Sequence, residues 1–471
     1  MAWLRNLLVR LFSTRYMVKD KLLLGDIPPT KEAYQSAINI ALPAVAEMVS
    51  ISVIGMADTV MVGKLGTYAI AAVGLTAQAR MIFLCVFFAL NVGVTAVVSR
   101  RKGSGDQAAA NLCLRQSLLI AICMAALMSV ASVISARGLM ILSGAQNDTI
   151  EPATQYFQIL GMGMVFQVLS MVICAAQRGV GLTKITMYVG IVANVVNVIF
   201  NYLLIGGNFG FPRLEVRGAA IATVMGNAVG MALAIASVLR GNGYLRIRRS
   251  DSWKPDWDML KILGKIGGGS MVEQLALRVG FFLYALVVAN LGTDAFAAHQ
   301  ITMQLLGLSF TFADGIGIAA TSLVGQSLGA KRPDLSIMYG QIGQRIAFII
   351  ALGLAGLSIA GMNFFPALFT NERHLIELSS SLIILLAIIQ PFQMSQVVMS
   401  GALRGAGDTK YVALSMLLAV GIVRPAAAYL LTYAAGLGVV GAWWAILVDQ
   451  IARLLFMQLR LIGGKWMKIE V

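Results

Sequence analysis

The sequence predicts an all-α polytopic membrane protein, with twelve transmembrane helices arranged in two pseudo-symmetric six-helix bundles. Three observations predict it: a composition poor in charge, a succession of uncharged runs long enough to cross a bilayer, and a pattern that recurs at an offset of 226 residues. Hydrophobic residues make up 58% of the chain and charged residues 12%, with a mean hydropathy of +0.81. A soluble domain carries about twice that charged fraction.

Runs such as Ile38 to Gly63 and Ile185 to Gly207 exceed the roughly 20 residues a helix needs to cross the hydrocarbon. They are far longer than the strands of a membrane barrel, which are about 10 residues of alternating polarity. Twelve such spans are centred near Val49, Cys85, Ala125, Phe166, Val195, Ala228, Leu277, Leu308, Ala351, Leu386, Ala419 and Ile451. The expected divisions are a basic N-terminal segment (1–36), an N-lobe (37–240), an inter-lobe linker (241–265), a C-lobe (266–463) and a tail (464–471). The N-terminal segment holds six Lys or Arg and no cleavable apolar core, so the first helix is expected to act as its own insertion signal.

The net charge of +15 is placed rather than spread. With twelve spans, 27 of the 36 Lys and Arg fall in loops on the side of the N-terminus, 5 on the opposite side and 4 within spans. The positive-inside rule then puts both termini in the cytoplasm of a cell in whose inner or plasma membrane the chain resides. The base is thus an orientation signal, and a nucleic-acid partner is not expected. Cys85, Cys113, Cys123 and Cys174 lack C-x-x-C spacing and lie in or beside apolar runs. They read as small apolar packers, with no disulfide or metal framework.

The offset of 226 superposes "AAQRGVGLTKI" (Ala175 to Ile185) on "GALRGAGDTKY" (Gly401 to Tyr411) and "LGTYAIAA" (from Leu65) on "LGTDAFAA" (from Leu291). It also matches Glu47 with Glu273, Thr95 with Thr321 and Gln167 with Gln393, while "RGAAIA" (from Arg217) meets "VGAWWA" (from Val440) at 223. Six helices are therefore duplicated, and because six is even the repeat is parallel about an axis along the membrane normal. The duplicated motif, with Arg178, Gly179, Arg404 and Gly405, falls at the turn between the fourth and fifth helices of each repeat. Its glycines allow a tight helix exit, and its Arg and Lys are expected in the headgroup zone.

"GALRGAGDTK", "LGTDAFAAHQITMQ", "ATSLVGQSLGA" and "MADTVMVGKLG" are similar to signatures of the multidrug and toxic compound extrusion (MATE) transporters, and the resemblance runs from about Ile38 to Trp466. It implies a twelve-helix antiporter that exports amphiphilic, often cationic compounds in exchange for protons or sodium by rocking two lobes. In NorM-like members the tenth helix carries an Asp where this chain has Gln393, and their acid on the seventh helix falls at Leu277. The pattern therefore resembles the DinF-like branch more closely.

Charge inside a span needs a partner or a role. Asp58 lies five residues before Gly63, and Asn201 five residues before Gly206, with Asn197 one turn below it. Equal depth and i, i+4 spacing bring the three to one polar nest. A carboxylate there can bind and release a proton, and the resemblance implies that the acid on the first helix is the ion site. Glu273, the duplicate of Glu47, is expected to meet a cationic substrate at a cavity mouth or to pair with Lys265. Phe166, Gln167, Gln393 and Met394 on the fourth helix of each lobe, and Tyr284 at the duplicate position of Asp58, are further substrate candidates. Arg80, Arg278 and Arg424 lie near mid-span, where Asp314 is the expected partner of Arg424, and Asp449 with Arg453 form an i, i+4 pair.

Neither His299 nor His374 has a second imidazole or a cysteine nearby, so no metal site, cofactor or catalytic triad is expected. The expected function is a monomeric secondary antiporter, driven by protons or secondarily by sodium, for small amphiphilic substrates within the lipid bilayer. The alternative is a lipid-linked oligosaccharide or lipid flippase of the same superfamily, which would show a strongly cationic cavity.

Overall fold

A computed structural model describes residues 11–240, 243–248 and 250–469. The first ten residues of the expected basic segment, residues 241, 242 and 249 of the linker and the last two of the tail lie outside the described residues. Among the described residues every regular element is helical. Eleven helices are long and apolar enough to cross a membrane, and a bent pair brings the number of spans to twelve.

The N-terminal repeat comprises α1 (Thr30–Gly63), α2 (Thr67–Gly103), α3 (Gln107–Leu142), the pair α4 (Ile150–Met162) and α5 (Met164–Gly179), α6 (Thr183–Gly206) and α7 (Glu215–Leu239). The C-terminal repeat comprises α8 (Trp257–Ala289), α9 (Thr293–Gly329), α10 (Pro333–Ala360), α11 (Arg373–Gly405), α12 (Thr409–Ala434) and α13 (Gly438–Gly463). The α4–α5 span bends by 49°, next to Gly163, where an added Cβ would lie 2.3 Å from Val224. Lost side-chain bulk at that point lets the chain pass close to α7.

By packing, the described residues form two compact units, one within 46–267 and one of 11–45 with 268–469. In the latter, Ala33 and Ala37 of α1 share a core with Met17, Val18, Met338 and Ile342. In the former, the linker is bound along one face of α3: Gln107 donates to the Tyr244 carbonyl, Asn111 accepts from the Arg246 N–H, and Gln116 donates to the Lys254 carbonyl. Asp251 pairs with Arg115 at 3.1 Å. The linker is therefore part of a packed unit rather than a free tether.

The duplication is also visible in contacts. Thr95 Oγ1 donates to the Ala175 carbonyl at 3.0 Å, and Thr321 Oγ1 to the Gly401 carbonyl at 2.8 Å. Beside each, Gly179 or Gly405 lets two helices touch: an added Cβ would lie 3.0 Å from the Thr95 oxygen or 2.2 Å from the Thr321 oxygen. The turn itself is made by the next glycine of the motif, Gly181 (φ 84°) and Gly407 (φ 83°), in the left-handed region that glycine adopts without steric cost.

Candidate functional site: a polar cavity in residues 46–267

Asp58 stands on the last turns of α1, and Asn197 and Asn201 one turn apart on α6. The structure brings the three together. Asn201 Nδ2 donates to Asp58 Oδ1 at 2.6 Å. In the orientation that satisfies its neighbours, the Asn197 amide donates to both Asp58 oxygens (2.9 and 3.2 Å), and its carbonyl accepts from the Thr223 N–H at 3.2 Å, with Thr223 Oγ1 at the same distance. Asn197 and Asn201 are buried, and Asn201 Oδ1 has no partner among the described residues. Both amides present nitrogen to the carboxylate, so Asp58 is the oxygen ligand of the nest as it stands. It can take a proton, whereas a small hard cation such as sodium would bind with the amides turned to offer oxygen.

Thr223 was not among the sequence candidates. The only signal for it is a hydroxyl in an apolar run, which commonly bonds back to its own helix, as Thr223 also does to Ala219 at 3.0 Å.

Asp58 opens on a cavity of about 320 Å³ whose walls also carry Glu47, Arg80, Gln167, Arg178, Asn194 and Asn227. Arg80 donates to Gln167 Oε1 at 2.8 Å, which fixes the guanidinium against α5. At another wall Glu47 accepts from Arg178 at 3.1 Å and from Thr186 Oγ1 at 2.6 Å. Two carboxylates and two guanidinia line the cavity, so its formal charge is zero when Asp58 is ionised and positive when it is protonated.

Several expectations are corrected. Arg178 and Arg404 turn inward to Glu47 and Glu273 (2.9 Å) rather than out to headgroups, because each carboxylate is buried and needs a counter-charge. Glu273, expected at a cavity mouth or beside Lys265, is buried and paired with Arg404. Arg424 pairs with Asp449 (2.5 Å), not with Asp314. Gln393 and Met394 are buried, Met394 in the core of α9, α11 and α12, and so line no open surface. Tyr284 is buried against His299 and Arg424. Phe166 is half-buried and is not a wall of the cavity, whereas Gln167 is. Of the four cysteines, Cys123 is exposed and the other three are buried.

Fold and cavity together define an internally duplicated helical membrane protein with an acid-bearing polar chamber in its first repeat. The chain matches the MatE family over residues 43–203 and 270–430, once in each repeat, and it belongs to that family. It is 27% identical over 446 residues to a Thermotoga maritima protein named "Probable multidrug resistance protein NorM", covering 93% of this chain and 94% of that one. It is 24% identical to "Multidrug resistance protein MdtK" of Yersinia pestis, covering 92% and 95%. The fold superposes with a TM-score of 0.84 on a structure described as the outward-facing conformation of a multidrug resistance MATE family transporter, at 21% identity, covering 92% of this chain and 97% of that one.

Proposed function

We propose that the chain is a secondary active antiporter that exports amphiphilic, mainly cationic, compounds from the cell in exchange for protons, by alternating access. The observation that carries this reading is the placement of Asp58, amide-bound and yet a wall of the polar cavity. A proton taken up by Asp58 changes the cavity from neutral to positive, so a proton and an organic cation compete for one charge state. That competition is the thermodynamic requirement of exchange: each ligand lowers the affinity for the other. The balanced charge supports an exporter over a flippase, which would favour an excess of base in the cavity.

A second reading, sodium in place of the proton, draws support from the free Asn201 Oδ1 and from Thr223, which add oxygen donors that a proton does not need. Leu277 and Gln393 carry no carboxylate, which favours the DinF-like branch although the named relatives are of NorM type. The Lys and Arg count favours both termini on the cytoplasmic face. The test is efflux of ethidium from proteoliposomes under an imposed pH gradient and then an imposed sodium gradient. The proposal expects transport under the first and loses its proton arm if only the second drives it.

A further inference from the structure

The two repeats treat the same location in opposite ways. Paired contacts align them. Arg178–Glu47 and Arg404–Glu273 are equivalent at an offset of 226, as are the first residues of α6 and α12, Thr183 and Thr409. At the far end of these helices the offset changes. A Cβ on Gly218 would lie 2.6 Å from the Leu204 carbonyl oxygen, and one on Gly441 would lie 2.5 Å from that of Leu431. The sixth helices are thus offset by 223 (218 to 441) and the fifth by 227 (204 to 431). The additional residue in α12 is accommodated by a π-helical stretch, Ala419–Val423, which widens the helix by one residue just before Arg424.

In this register Arg424 stands where the N-terminal repeat has Asn197, Asp449 where it has Gly226, and Tyr284 where it has Asp58. Gly226 and Asn197 do adjoin, since a Cβ on Gly226 would lie 3.0 Å from Asn197 Cβ. The acid has moved from the first helix of the repeat to the sixth, and a fixed cation has appeared on the fifth. The Arg424 guanidinium donates to Asp449 Oδ2 from Nε at 3.0 Å and from a terminal nitrogen at 2.5 Å. Its carbon lies 4.8 Å from the Phe281 ring centroid and 5.7 Å from that of Tyr284, within the range of cation–π attraction. A carboxylate beside two aromatic faces is the arrangement that recognises a planar or organic cation. Both ions are buried, Arg424 at 2% exposure and Asp449 at 0%.

We propose that the C-terminal repeat contains a cation cage, formed by Asp449, Phe281 and Tyr284, whose tethered occupant is the Arg424 side chain. The chain fills its own second cation site, and the mobile coupling ion is taken up in the N-terminal repeat. The second clause rests on the ion-coupled reading of Asp58; the cage does not. Arg453 also donates to Asp449 Oδ2 at 2.6 Å and reaches Met416 Sδ at 3.6 Å. Loss of Arg424 therefore leaves a balanced Asp449–Arg453 pair and a vacated space of guanidinium shape.

Chemical rescue tests this on the full chain purified in detergent. The melting midpoint of Arg424→Ala is followed in low-millimolar guanidinium chloride, against equal sodium chloride and equal urea, the neutral isostere. Arg424→Gln, which can keep a hydrogen bond to Asp449, is measured beside it. The expected result is a rise in midpoint with guanidinium alone, absent in the wild type and lost when Asp449→Asn is added. Identical midpoints in all three solutes for both variants overturn the cage, as does a guanidinium response that survives Asp449→Asn. Repeated on an Asp58→Asn background the rescue is expected unchanged, so failure of Asp58 as the coupling residue and failure of the cage are read separately.

Discussion

Asn201 Nδ2 lies 2.6 Å from Asp58 Oδ1, and Asn197 reaches the same carboxylate from one turn below. Both are neutral amides, so this contact carries no opposing charge to hold the acid ionised. Asp58→Asn preserves shape and removes the charge change. It is expected to leave the protein folded, to weaken ethidium binding because the cavity is then fixed in its positive state, and to reduce gradient-driven efflux to the level of empty liposomes. Circular dichroism, ethidium fluorescence and transport check the three parts.

Glu47 and Arg178 form a buried pair that joins α1 to the end of α5, with side-chain exposures of 7% and 15%. Arg178→Ala strands the carboxylate and is expected to cost about 3–5 kcal/mol, whereas the double variant Glu47→Gln/Arg178→Met removes both charges and recovers much of that. Denaturation of the single and double variants measures the difference. Equal losses in both would contradict the pairing.

At Gly405 an added methyl meets the Thr321 carbonyl oxygen at 2.2 Å, and Gly407 holds a left-handed backbone, φ 83°. Gly405→Ala should therefore force α9 and α11 apart, at a cost of roughly 1–3 kcal/mol. Gly407→Ala should cost about 1–2 kcal/mol through backbone strain. Cross-linking yield between cysteines placed on α9 and α11 falls in the first variant and not in the second.

The linker should stay docked across the working range of pH. Asp251 is held below the usual carboxylate range chiefly by the Arg248 N–H, at 2.8 Å, with the Arg115 guanidinium adding to it. A carboxylate lowered in the folded state contributes stability above its unfolded value of about 3.9, and that stability is lost as the pH falls through the lower folded value. Proteolysis of residues 243–256 should be constant from pH 8 to about 5 and rise only in stronger acid. A rise near neutrality would show that something other than Asp251 governs the docking.

Much of this was legible in the sequence because the bilayer constrains it. Apolar length locates helices, and an offset of 226 locates the repeat. Asp58, Asn197 and Asn201 could be brought together because distance from a helix end measures depth when both helices end at the same face. Depth alone misassigned Arg424, since Asp314 and Asp449 lie at comparable levels. The better signal was the hairpin: about Gly436, Arg424 is 12 residues before the turn and Asp449 is 13 after it. Arg178 and Glu47 were likewise detectable as opposite charges duplicated together, in Arg404 and Glu273. The π-helical insertion before Arg424 has no composition of its own and was not legible.

In the exchange proposed here, proton and substrate exclude each other through Asp58. Proton release on adding ethidium to the weakly buffered, purified protein tests it most directly. About half a proton per protein is expected from the wild type at the pH where the site is half occupied, rising toward one at lower pH, and none from Asp58→Asn. Equal release from both proteins would contradict it.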